Sequence, residues 1–301
     1  MTSLMRLHRP LMVFTAAMAV LAVVAAVGIV ADPRVLTGMP IWAKPFKFAV
    51  SFVLYATTLA WMLSLLPRRS RAAEWAATVV VAASVAEMVV IVGQVLRGRT
   101  SHFNQTTPFD AALWSVMSIA VIVLVSGHFV VGLVLLRARI ADRVAAHAVR
   151  WGLGLSLLGM LVAVPMTLPS AAPPGQDAIA GAHSVGVADG GAGLPLLGWS
   201  TTGGDLRIGH FVGLHALQAL PLVAMLLGRR FDGLTRRRLL AVAGGAYGSL
   251  TLLLTWQALR GQPLLQPDAL TVTVAGALAA GTVLATGTVL RLRRPELELA
   301  A

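Results

Sequence analysis

Eight apolar runs, each about 20 residues long, restrict this chain more than any other feature, because a helix of that length crosses the hydrocarbon layer of a bilayer. They cover roughly 11–31, 45–66, 76–96, 112–136, 149–168, 208–228, 239–259 and 269–290. The first follows Arg6, His8 and Arg9 and is longer than the core of a signal peptide, so it reads as a retained span. Pro45 falls in the opening turn of the second, where its missing N–H costs nothing. The expected fold is an all-α polytopic membrane protein with eight transmembrane helices. Composition agrees: 57% of residues are hydrophobic and 12% charged, far from a soluble domain.

The net charge of +12 would suit nucleic acid, but the basic residues stand in short clusters between the apolar runs. The partners expected are therefore membrane lipid and a small molecule, not nucleic acid. With both termini cytoplasmic, 17 of the 24 lysines and arginines lie in segments 1–10, 67–75, 137–150, 229–240 and 291–301, as the positive-inside rule requires. This orientation places the 32–44 connection, the 94–110 stretch, the long loop 169–207 and the short loop 260–268 on the exoplasmic side. No cysteine is present, which removes disulfides, iron–sulfur clusters and thiolate metal sites.

An internal repeat organises the spans. Gln94-Val-Leu-Arg97-Gly98 ends the third and Gln257-Ala-Leu-Arg260-Gly261 the seventh, 163 residues on, and the same offset places Lys44 on Arg207 and Phe48 on Phe211. The reading is two parallel four-helix halves, 1–140 and 141–301, about an axis along the membrane normal.

Polar residues inside the spans mark the candidate site. Lys44, Lys47, Ser51, Tyr55 and Thr58 share one face of span two. The two lysines, the only ones in the chain, either snorkel to the interface or hold an anion as point charges. Glu87 lies near the middle of span three, where an ionisable group is functional or paired; it is either the chemical centre or a structural partner of Lys47. Span six carries Arg207, His210, His215 and Gln218. His210 and His215 are five apart, poorly placed for one metal, and no metal site is expected. His128 sits at a different depth from His215, which disfavours a shared heme and suggests a hydrogen-bonded core histidine. His8, His147 and His183 read as solvated.

The stretch 94–110 gathers Gln94, Arg97, Arg99, His102, Asn104 and Asp110 at the mouth of two spans, as a cap over a pocket. Ordinary headgroup contact is the plainer alternative for its charges. Asn104-Gln105-Thr106 also fits a glycosylation acceptor, with a buried role equally open. Glu87, Lys47 and His215 are expected to converge beneath this loop as the catalytic group. Lys44, Gln94, Arg97, Arg99, His102, Asn104, Asp110, Arg207, His210, Gln218, Gln257 and Arg260 would line the site, with His102 or Arg97 as its lid.

The phrases Trp-Ala-Lys-Pro-Phe-Lys-Phe at 42–48 and Arg-Gly-Arg-Thr-Ser-His-Phe-Asn at 97–104 resemble those of an uncharacterised family of bacterial multi-pass membrane proteins. This implies a location in the bacterial inner membrane. The layout is also similar to that of the heme A synthase family, through Gln94/Gly98, Gln257/Gly261 and Gly209-His210. That resemblance implies two parallel halves with both termini inside, and a possible heme with His210 as candidate ligand. Lys47 stands where that family has a span-two histidine, no histidine lies near the start of span four or in span eight, and the exoplasmic cysteines are missing.

The function expected is a protein whose exoplasm-facing, net-positive cavity binds or carries a small anionic or amphiphilic molecule. Its rivals are an outer-leaflet enzyme, with His210 or His102 as acid–base or metal ligand and Lys47 and Arg97 stabilising developing negative charge, a redox protein with one heme on His210 and a quinone nearby, and a purely structural or assembly partner.

Overall fold

The computed structural model describes residues 7–168, 181–228 and 230–292. Part of the long loop, 169–180, and Arg6, Arg229, Arg293 and Arg294 from the orientation argument lie outside the described residues. Eight helices follow in order: α1 (Arg9–Ala31), α2 (Ala43–Ser64), α3 (Arg71–Leu96), α4 (Pro108–Arg137), α5 (Arg143–Leu161), α6 (Leu206–Leu227), α7 (Gly233–Leu259) and α8 (Ala269–Arg291). All eight are long and apolar enough to cross a membrane. The protein is thus an all-α, multi-pass membrane protein.

Helices α3, α4 and α7 start four to six residues before their apolar runs. The side chains of Ser70, Thr107 and Asp232 accept hydrogen bonds from the free N–H groups of the first turn, and such caps set where a helix begins. Hydropathy marks the bilayer, whereas the caps mark the helix.

The first four helices and the last four show the same pattern of neighbours: α1 packs on α2 and α3, α2 on α3, and α3 on α4, while α5 packs on α6 and α7, α6 on α7, and α7 on α8. The two sets meet where α2 touches α6 and α4 touches α5. Because lipid is as apolar as leucine, close backbone approach rather than hydrophobicity holds such helices together. Gly159 of α5 lies directly against Gly213 of α6, and Gly209 of α6 against Thr255 of α7. Helix α8 buries only Thr271 and otherwise presents an apolar surface.

Two short antiparallel ribbons lie at one end of the bundle. The first is β1 (Val35–Leu36) with β2 (Met39–Pro40), and the second β3 (Ser184–Val185) with β4 (Gly204–Asp205). They touch: a side chain on Gly38 would approach the Gly190 carbonyl to 2.9 Å, and one on Gly198 the Met39 sulfur to 2.0 Å.

Candidate ligand site

Lys44, in the first turn of α2, donates from Nζ to His102 Nδ1 at 3.0 Å. An ammonium has no acceptor, so His102 is the neutral imidazole with its proton on Nε2. Burial, then the neighbouring charge of Lys44, holds the His102 pKa well below the ordinary imidazole value. The ring stands among Phe48, Trp114 and Phe103, with centroids 5.6, 5.8 and 6.2 Å away. Phe103 is at φ 58, left-handed for a residue that rarely adopts it, and its ring meets His183 at 5.1 Å.

His183 comes from the second ribbon. Its Nδ1 lies 2.6 Å from Asp189 Oδ2, and Asp189 also accepts from the N–H groups of His183 and Ser184. These bonds hold the Asp189 carboxyl below the usual carboxylate range against the opposing effect of burial. For His183, burial outweighs the raising effect of Asp189 and the pKa is lowered. His183 is not solvated as expected; it is oriented by Asp189 beside the His102 cluster.

Glu87 is 5% exposed, and the cation acting on it is Lys44 rather than Lys47. Its carboxylate accepts no hydrogen bond. Among the described residues the only fully enclosed side-chain nitrogen or oxygen without a partner is Arg236 Nε. Glu87 thus keeps a small accessible area.

Lys47 instead donates to the Leu197 carbonyl at 2.8 Å, with the Met39 sulfur at 3.9 Å. Arg207 grips Asp205 with Nε and a terminal nitrogen and donates to the Gly198 carbonyl at 2.6 Å. On α6, His210 Nδ1 donates to the Gly159 carbonyl at 2.8 Å, which leaves Nε2 free. His215 turns back on its own helix, donating to the Phe211 carbonyl with its ring 4.0 Å from that of Phe211. It does not join Glu87 through any hydrogen bond, and Gln218 lies half-buried one turn further on.

The 94–110 stretch divides. His102 belongs to the site, but Gln94, Arg97, Asn104 and Asp110 form a separate knot. Asp110, fully buried, accepts from Gln94 Nε2 at 2.9 Å, Arg97 at 2.7 Å, Thr107 Oγ1 at 2.8 Å and Thr106 Oγ1 at 3.2 Å. Asn104 donates its amide nitrogen to the Thr100 carbonyl and accepts from Thr106, so the acceptor-like triplet is a loop staple, while Arg99 is exposed. Arg97 is consequently no lid.

The Gln257–Gly261 turn has the same geometry as the Gln94–Gly98 turn. Gly98 has φ 71 and Gly261 φ 72, and Arg99 N–H bonds the Gln94 carbonyl as Gln262 N–H bonds that of Gln257. Arg97 reaches Asp110 and Arg260 reaches Asp268, each at the start of the next helix. Gln257 donates to the Pro263 and Leu264 carbonyls. Both motifs thus end a helix and fasten its loop.

The expected excess of positive charge is largely neutralised. Arg34, Arg97, Arg207 and Arg260 pair with Asp32, Asp110, Asp205 and Asp268. Near the site this leaves Lys44 and Lys47 against Glu87 and Asp189.

Deeper in the bundle, His128 is fully buried, as expected. The Ser156 hydroxyl donates to the Leu153 carbonyl, so it accepts from His128 Nε2–H, and Tyr55 donates to Nδ1. His8 is not solvated either: it caps α1 and bonds the Glu74 carbonyl on α3. Among the described residues no group of three His, Cys, Asp or Glu side chains is placed to hold a metal ion. An apolar groove between α7 and α8, lined by Tyr247, Leu250 and Leu278, carries no charge. No protein family, no curated protein and no solved structure matches this chain.

Proposed function

We propose that this membrane protein binds a small anionic or amphiphilic molecule in a polar cavity beneath the two ribbons, with Lys44 and Glu87 as its main contacts. The observation that carries the reading is the state of Glu87. A carboxylate in an apolar span is costly unless paired and hydrogen-bonded, yet this one has a neighbouring cation and no donor. Its acceptors are free for a hydroxyl or N–H of the ligand. Lys44 spends one of its three donors on His102 and keeps the others for an anionic group. Phe48, Phe103 and Trp114 offer aromatic faces to an apolar portion.

The shared pattern of helix neighbours and the twin Gln-x-x-Arg-Gly turns support a duplicated four-helix unit, 1–140 and 141–301, with α2 and α6 as equivalent helices at its axis. The arginine-rich end is then cytoplasmic and the site opens to the exoplasm of a bacterial inner membrane. A second reading rests on His210. An imidazole that donates Nδ1–H to a backbone carbonyl keeps Nε2 available to a metal, and His210 would hold a heme through that atom. A heme would supply redox chemistry there, while Gly159 would orient the ring.

The reading is tested by extracting the purified protein and its Lys44→Gln variant and identifying retained small molecules by mass spectrometry. The wild type should retain close to one equivalent of an acid or anionic amphiphile. The variant should retain at least about 10-fold less, the loss of one charge-assisted bond. Equal content in both, or none in either, contradicts the proposal; a Soret band abolished by His210→Ala selects heme.

A further inference from the structure

The turn Leu194–Trp199 at the tip of the second ribbon rests on cations from both halves of the protein. Lys47 of α2 holds the Leu197 carbonyl and Arg207 of α6 holds the carbonyl of the next residue, Gly198. Two basic groups therefore converge on one dipeptide. Arg207 is already paired with Asp205, whose charge also acts on Lys47, but Lys47 makes no ion pair of its own and touches only that carbonyl and a distant sulfur. A neutral carbonyl is a poor partner for an ammonium in a partly buried place, where a full negative charge would bind more strongly.

The base of the ribbon is anchored without Lys47, although Arg207 takes part in it through Asp205. Asp205 accepts from the Ser200 N–H, and Asp189 from His183 and Ser184. The tip itself carries strain: Leu196 sits at φ 63, a region that leucine rarely adopts, and is 72% exposed. Gly198 shares that region at φ 65, where glycine is unstrained, and a Cβ there would push the Met39 side chain of the first ribbon aside.

We infer that Lys47 and Arg207 form an anion-binding site in which the Leu197 and Gly198 carbonyls stand in for the ligand, so that an incoming phosphate-type anion displaces the turn and opens the cavity. The inference rests on the ligand reading above and adds its entrance. It commits to an oxyanion, whether a free solute or the head of an amphiphile. The tip is the latch, and the cations that release it are those that receive the charge.

The chain has no cysteine, so Leu196→Cys with a nitroxide label reports the tip without background. In nanodiscs the label should be immobile. Adding Lys47→Gln should raise the ratio of mobile to immobile label roughly 10-fold, as for loss of one hydrogen bond to a charged group; Lys47→Arg, which keeps the donor, should leave it unchanged. Inorganic phosphate or dodecyl phosphate, compared with sodium chloride at equal ionic strength, should mobilise the label in the wild type and in Lys47→Arg. A response to phosphate assigns a soluble anion, and one to dodecyl phosphate alone an amphiphile. A label that ignores both probes, or an immobile tip in Lys47→Gln, overturns the latch. If the Lys44-dependent molecule is still retained in that case, the ligand site stands and only the latch fails; if it is not, the site itself fails.

Discussion

Gly159→Leu is expected to abolish assembly of the second half of the protein. A Cβ on Gly159 would lie 2.4 Å from the Leu214 nitrogen and 2.5 Å from the Gly213 carbonyl carbon, and a Cβ on Gly213 would meet Gly159 Cα at 2.5 Å. These neighbours are backbone atoms, so no rotamer change relieves the clash, and α5 and α6 must separate along a crossing that needs small residues. Separation also takes the Gly159 carbonyl away from His210. The cost should exceed about 4 kcal/mol, beyond the usual range for one substitution. The measurement is the yield and melting temperature of monodisperse protein. Gly154→Leu is the control, because a Cβ there meets nothing within 4 Å; equal losses in the two variants would refute the account of this interface.

The second large effect is expected at Asp110. Removing its carboxylate by Asp110→Ala leaves the buried Gln94 Nε2 and the Thr107 hydroxyl without an acceptor, while Arg97 keeps only Gln94 Oε1 and Thr106 keeps Asn104 Oδ1. Breaking a buried pair costs about 3–5 kcal/mol. Because the Arg97 side chain is 39% exposed and regains water, the lower end, about 3 kcal/mol, is the figure for Asp110→Ala. The matching change at the second turn, Asp268→Ala, should lower stability less, because that aspartate is itself 39% exposed and what is lost is a solvated ion pair and one helix cap. Thermal unfolding of the two variants side by side checks the order. A larger loss for Asp268→Ala would show that the two turns are not stabilised as their burial implies.

The spans were legible because a 20-residue apolar run has one solution in a bilayer, and the His128 network was legible because a histidine deep in such a run must be bonded. The partners of the charged residues were not. Arg97 and Arg207 look alike as exoplasmic arginines, and only the folded loops bring Asp110 and Asp205 to neutralise them. Depth along the spans puts Lys47 near Glu87, but its side chain follows a carbonyl 150 residues away, a contact that depth does not encode. His183 was passed over for the same reason: it lies in a Gly-rich loop, and the aspartate six residues on, the one available signal, gains meaning only when the ribbon folds.

The central claim is that Lys44 and Glu87 share a small molecule, and an electron cryomicroscopy map of the wild-type protein, purified from its own membrane into nanodiscs without added ligand, tests it most directly. The account predicts compact non-protein density within about 3 Å of both Lys44 Nζ and a Glu87 oxygen, in contact with the Phe48 and Trp114 rings. A map in which Glu87 closes directly on Lys44, with no density between them, would contradict it.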